Sequence, residues 1–256
     1  MSAIASNAPP RLLAALGHQI RWQLLSALAR SDRRVSELVV RVRRPVNLVS
    51  YHLRRLRELS LVRSHRSSAD QRDLYYSLDL PRLHAALFAA GEELHPALGA
   101  AQPESGDESN AESSAPIRVL FLCTHNSARS QMAEALLRQL APGRVRVESA
   151  GTVATRVHPL AIRVMAEEGI DLSSHRSKHL DEFLGERFDF VITVCDSARE
   201  SCPIFPGSPE RIHWSIPDPS AVEGSEANRL KAFRLAAREL RQRLQYLSSQ
   251  LRRRSK

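Results

Sequence analysis

Residues Val119–Leu137 read VLFLCTHNSARSQMAEALL. Four apolar residues end abruptly at Cys123, polar residues follow, and a helical pattern of apolar residues begins at once. Strand, short loop and helix in that order make an α/β unit. The loop from Cys123 to Arg129 has the spacing C-x5-R. In such a loop the backbone N–H groups of Thr124, His125, Asn126, Ser127, Ala128, Arg129 and Ser130 can turn inward as an anion nest, reinforced by the helix dipole. The same field favours a thiolate. Arg129 can grip two oxygens of a tetrahedral oxyanion, Ser130 can donate a hydrogen bond to the sulfur, and Asn126 suits a backbone conformation that most residues avoid. C-x5-R alone is a weak signal. The preceding strand, the NSARS within the loop and the following helix make it specific. A buried, inert Cys123 is the plain alternative.

Outward from this stretch, strands and helices alternate: IRVLFL, a helix from Ala128 to Leu140, VRVESAG, a helix from His158 to Glu168, FDFVITV, a short IHW strand and a long C-terminal helix. Alternation of this kind predicts a parallel sheet covered by helices. In the last helix Leu230, Phe233, Ala237, Leu240, Leu244, Leu247 and Leu251 form one stripe, the face expected to pack on the sheet. A nucleophile of this kind needs a general acid. WSIPDPSAVEG offers Asp218 in an Asp-Pro loop, against the plain reading of an aspartate in a turn.

The chain has 256 residues, three cysteines and a net charge of +9. Three cysteines do not make a disulfide framework, and no run approaches the roughly 18 apolar residues of a membrane span. MSAIASNAPPRLL lacks a signal-peptide core, so a cytoplasmic location without membrane association is expected. The stretch Met1–Gly99 holds 15 arginines, no lysine and 8 acids. A surplus confined to one small domain points to a polyanionic partner.

Gly99–Pro116, GAAQPESGDESNAESSAP, has no large apolar residue and reads as a flexible linker. It separates an N-terminal domain, 1–98, from a C-terminal domain, 117–256. In the N-terminal part LGHQIRWQLLSALA and VSELVVRV read as helices, with Ser36 as N-cap or first-turn residue. VNLVSYHLRRLRELSLV follows, then two strand-like pieces around SSADQ and a helix from Leu80 to His95. This order makes a mainly α winged helix-turn-helix. Val49, Leu53 and Leu56 share the core face of its second helix. Asn47, Ser50, Tyr51 and Arg54 share the other, which offers hydrogen-bonding groups to base edges in a major groove. Arg63, Arg66 and Arg72 on the hairpin are placed for backbone phosphates. A solvated polar face is the bland alternative.

The linked order from Leu16 to Leu80 resembles the ArsR-type repressors. That resemblance implies binding of double-stranded operator DNA as a homodimer through the N-terminal domain. Arsenite-sensing members use clustered thiolates near the DNA-reading helices, and this segment has no cysteine. His84 and His95 have the spacing of a metal pair in some relatives, but the companion acids would fall at Arg82 and Leu98, so no metal site is expected.

Ile117–Arg252 resembles the low-molecular-weight protein tyrosine phosphatase fold, and more closely its arsenate reductase branch, through CTHNSARSQMAEALL, VESAGT, SSHRSKHL, VITVCDSARESCPIFPG and HWSIPDPSAVEG. The resemblance implies a four-stranded parallel sheet, no bound cofactor, and a relay. In it Cys123 attacks arsenate held by the cradle and Arg129, while Asp218 protonates the leaving oxygen. Cys195 then attacks Cys123, releasing arsenite, and Cys202 attacks Cys195. The last disulfide passes to an external thioredoxin-like dithiol. A wholly helical Cys195–Cys202 would separate the two Cα atoms by about 10 Å, against about 4.4–6.8 Å in a disulfide, so a helix there must unwind. Two other readings remain open: a tyrosine phosphatase with a DNA-binding regulatory domain, in which Cys195 and Cys202 are idle, and a non-catalytic oxyanion or arsenite sensor.

Overall fold

The computed structural model describes residues 10–95 and 115–254. These fall into two compact units. The stretch expected to be a linker, Gly99–Pro116, lies outside the described residues except for Ala115 and Pro116.

The first unit carries helices α1 (Arg11–Leu16), α2 (Gln19–Leu28), α3 (Val35–Val42), α4 (Val46–Glu58) and α5 (Leu80–Leu94). Its strands are β1 (Arg33–Arg34), β2 (Val62–Arg66) and β3 (Leu74–Leu78). The helix expected around Leu16 is in fact two. The chain breaks at Gly17, and the His18 ring caps α2 by accepting from the Ile20 N–H at 3.2 Å. Ser36 falls in the first turn of α3. The partner of that end is Glu37, whose carboxylate accepts the Arg34 N–H at 2.8 Å. The expected hairpin gains a third strand, because β1 pairs antiparallel with β3 and gives the order β1-β3-β2. Val49, Leu53 and Leu56 are all fully buried, with Leu24, Leu28 and Leu38 in the same cluster. That places the opposite face of α4 outward, as the 3.6-residue period requires.

The second unit is a four-stranded parallel sheet in the order β5-β4-β6-β7. Its strands are β4 (Ile117–Cys123), β5 (Val145–Gly151), β6 (Phe190–Thr193) and β7 (Glu210–His213). The helices are α6 (Arg129–Leu140), α7 (Pro159–Glu167), α8 (Asp196–Glu200) and α9 (Glu226–Arg254). Strand β4 is central, and residues 119–123 are buried, the near-continuous apolar run expected of a strand covered on both faces. The predicted stripe of α9 is its buried face, and the helix packs on α6 and α7. Because β5 and β6 flank β4 on opposite sides, their connections leave a crevice at the carboxyl end of β4, where ligands bind in open parallel sheets. Among the described residues no helix is long and apolar enough to cross a membrane.

The fully buried Leu53 gives a test of the first unit. Leu53→Ala should cost about 2–5 kcal/mol, read as a lowered midpoint in urea unfolding. An unchanged curve would take Leu53 out of the core.

Candidate active site

Cys123 ends β4 and is buried. Its Sγ lies 2.9 Å from Ser130 Oγ and accepts the Asn126 backbone N–H at 3.1 Å. Ser130 Oγ itself accepts from Asn126 Nδ2 at 2.9 Å, which leaves the hydroxyl hydrogen for the sulfur. Helix α6 begins at Arg129 with Ala128 as N-cap, and no side chain caps it. Alanine has no acceptor to offer, so the first-turn N–H groups are left facing the loop, as an anion-binding helix end requires.

Asn126 has φ +48°, the left-handed conformation expected from the sequence. Its side chain is saturated. Nδ2 donates to Ser130 Oγ and, at 2.8 Å, to Ser149 Oγ; Oδ1 accepts from Gln131 Nε2 and from the Lys178 N–H, each at 2.8 Å. Its carbonyl accepts from the Ser177 hydroxyl at 2.7 Å. Beside this lattice Lys178 Nζ meets Glu148 at 2.7 Å and the buried Glu134 at 3.5 Å.

Gly151 is the other support. A Cβ there would sit 2.6 Å from Thr124 O and 2.7 Å from Asn126 N. Only glycine lets β5 come this close to the cradle backbone. Sequence reading named the loop but missed Gln131, Ser149, Gly151, Ser177 and Lys178. The available signal was a serine and a glycine at the end of an otherwise apolar strand, in VESAG, together with polar SSHRSK, which has no apolar period.

Arg129 is largely buried, with its side chain 8% exposed. Nη1 donates to Ile216 O at 3.0 Å and Nη2 to Asp218 Oδ2 at 2.9 Å. Asp218 also caps a short 3-10 turn by accepting the Ser220 N–H at 3.0 Å. The guanidinium and carboxylate expected from separate segments therefore meet.

Cys195 leaves the end of β6 beside Cys123, since β4 and β6 are paired through Leu122↔Thr193 and the Val194 N–H donates to Leu122 O at 2.8 Å. Cys195 Sγ lies 3.4 Å from Thr124 Oγ1 in the cradle. Burial pushes its thiol up, the neighbouring Cys123 sulfur adds to this, and Arg129 and Thr124 pull it back. Cys195 caps α8, a five-residue helix, and Cys202 follows it. Cys202 is half-buried, 3.4 Å from Arg211 Nη2; burial raises its thiol as well, and Arg211 opposes this. All three cysteines are free thiols.

Asp196, next to Cys195, is buried with His213 and Ser215. His213 Nε2 lies 3.1 Å from its carboxylate and the Ser215 hydroxyl donates to it. Burial alone would raise this carboxyl, but those hydrogen bonds win and hold it well below the ordinary carboxylate range.

The profile of the low molecular weight phosphotyrosine protein phosphatases matches residues 118–256. The chain belongs to the low molecular weight phosphotyrosine protein phosphatase family. Three relatives within its reach carry the name arsenate reductase. That of Halalkalibacterium halodurans is 39% identical over 126 residues, covering 49% of this chain and 91% of its own. That of Bacillus subtilis is 37% identical over 126 residues, with the same coverage of 49% and 91%. Arsenate reductase 2 of Staphylococcus epidermidis is 40% identical over 113 residues, 44% of this chain and 86% of its own. A second profile, that of the bacterial regulatory proteins of the arsR family, matches residues 18–64.

In the first unit Asn47, Tyr51 and Arg54 are exposed on α4, and Ser50 is half-buried beside them. On the hairpin, Arg63 and Arg66 are exposed but engaged. Arg63 Nε lies 3.4 Å from Asp79, and Arg66 donates to Gln71 O at 2.7 Å. Arg72 is exposed. His84 and His95 are exposed on α5 and at its C-terminal cap.

Gly151→Ala should close the cradle. Calorimetric titration with inorganic phosphate should weaken by more than tenfold, above about 1.4 kcal/mol, and binding of wild-type strength would refute the close-approach argument.

Proposed function

We propose that the second unit is an arsenate reductase and that the first binds double-stranded operator DNA as a repressor. The observation that carries the enzymatic half is the contact of Thr124, within the cradle, with Cys195 at 3.4 Å. A phosphatase needs one thiol in this crevice. A reductase must return two electrons and needs further thiols to hand the oxidation on.

In this reading the backbone of Thr124–Ser130 and the Arg129 side chain hold arsenate. Cys123 attacks arsenic and Asp218 supplies the proton for the departing oxygen. Cys195 then attacks Cys123 Sγ; the electron pair of the sulfur–arsenic bond leaves with arsenite, and a Cys123–Cys195 disulfide remains. Cys202 attacks Cys195 and frees Cys123. For the two to bond, α8 must unwind, which would present the Cys195–Cys202 disulfide to an external dithiol protein of the thioredoxin kind. No bound cofactor is needed. Asn47, Ser50, Tyr51 and Arg54 are the base-reading group, Arg63, Arg66 and Arg72 the phosphate group, and the repressor half acts as a homodimer. The arsR-family match over 18–64 supports this half.

Dithiol-dependent arsenate reduction should vanish in Cys123→Ser. Cys202→Ser should complete one turnover and stop with the Cys123–Cys195 disulfide, visible by mass spectrometry. Continued turnover in Cys202→Ser would overturn the relay. The pH dependence follows from burial of Cys195. A raised thiol is mostly protonated near neutrality, so the attack of Cys195 should accelerate about tenfold per pH unit until the thiol titrates. A flat single-turnover profile from pH 6 to 8 would contradict that. For the other half, Tyr51→Ala with Arg54→Ala should abolish enrichment of a preferred duplex from a random pool.

A further inference from the structure

Beside the cradle runs an open groove of about 720 Å³. Its lining includes His125, Ser127 and Asp218 together with Arg156, His158 and Arg229. The charges in it are not equally engaged. Asp218 is committed to Arg129, and Glu226, also in the lining, is committed to Arg163. Arg156 and Arg229 have no ion-pair partner among the described residues.

The position of Arg229 is unfavourable for the fold itself. It lies in the first turn of α9, half-buried, where the helix dipole is positive and a cation is repelled. Its field also reaches His158, whose imidazole is held below its ordinary value by burial first and then by Arg229; Asp218 opposes this and Arg156 adds to it. His158 Nδ1 caps α7 by accepting the Leu160 N–H at 3.1 Å. In the neutral ring that acceptor role puts the hydrogen on Nε2, making a donor. The groove thus collects two guanidinium groups without an ion pair and an imidazole N–H, while its two carboxylates, Asp218 and Glu226, are each paired with another arginine. A site so composed lowers its energy by taking an anion.

We propose that Arg156, Arg229 and His158 form a second anion subsite, and that the groove accepts small phosphate monoesters whose leaving group carries a carboxylate or a second phosphate. This rests on the reading of Cys123 as nucleophile and Asp218 as acid. The cradle takes the phosphoryl end and the subsite takes the remote anion. Cys123 displaces the alkoxide from phosphorus, with Asp218 protonating that oxygen. Water then hydrolyses the cysteinyl phosphate, giving inorganic phosphate and returning the proton to Asp218. No electrons move, so Cys195 and Cys202 are spectators in this activity.

The test compares 4-carboxyphenyl phosphate with its methyl ester, two substrates with similar leaving groups that differ by one charge. In the wild-type protein at low salt, kcat/KM should favour the acid by about tenfold, the scale of one charge-assisted contact. In Arg156→Gln, and more so with Arg229→Gln added, the ratio should fall to about unity, whatever the absolute rates. Salt should erode the wild-type ratio and leave that of the double variant unchanged. Equal rates in the wild type, or a preference that survives both substitutions, would overturn the subsite. Arsenate reduction with neither ester hydrolysed would sink this proposal and leave the reductase reading standing. Absence of every Cys123-dependent activity would sink both.

Discussion

The side-chain amide of Asn126 holds the catalytic unit together. It sits at φ +48° in the middle of the cradle and spends all four of its hydrogen-bonding positions on Ser130, Ser149, Gln131 and Lys178. A left-handed non-glycine residue costs free energy, and a buried amide with an open position costs about 1–3 kcal/mol more. Both costs are met by one lattice that reaches into β5, α6 and the segment before the 3-10 turn at Leu180–Phe183. The same residue's backbone N–H faces the Cys123 sulfur at 3.1 Å, so the lattice also fixes that contact. With Ser130 held by Asn126, the hydroxyl hydrogen is directed at the Cys123 sulfur.

The sheet supplies the rest of the geometry. Parallel pairing of β4 with β6 brings the ends of both strands, and so Cys123 and Cys195, to the same edge. Parallel pairing of β6 with β7 delivers the Asp218 loop to that edge as well. Cys123, Asp218 and Cys195, from three distant segments, are thereby gathered at one edge of the sheet. The short α8 then separates Cys195 from Cys202, and its Asp196 is anchored on His213 and Ser215.

Much of this was legible from residue order. Cys123, Arg129 and Ser130 were readable because a strand, a C-x5-R loop and a helix follow each other within one local stretch. The core face of α4 and the stripe of α9 were readable because a helix repeats every 3.6 residues. The division at α1 and α2 was not, since Leu16 and Ile20 keep the helical period across the break and only the capping geometry of His18 reveals it. The two-residue β1 was hidden because its pairing with β3 is a long-range contact.

By itself, the sequence determined the parallel α/β unit, the winged helical unit before it and the loop that joins Cys123 to Arg129, all through local period and local spacing. Tertiary structure alone decided that Gly151 must lack a side chain and that Gln131 and Lys178 serve Asn126. It alone brought Arg156, His158 and Arg229 to one groove. The physical reason is that what these residues do depends on neighbours that chain folding sets beside them, from 5 residues away for Gln131 to 52 for Lys178 on Asn126, and no periodicity encodes that approach.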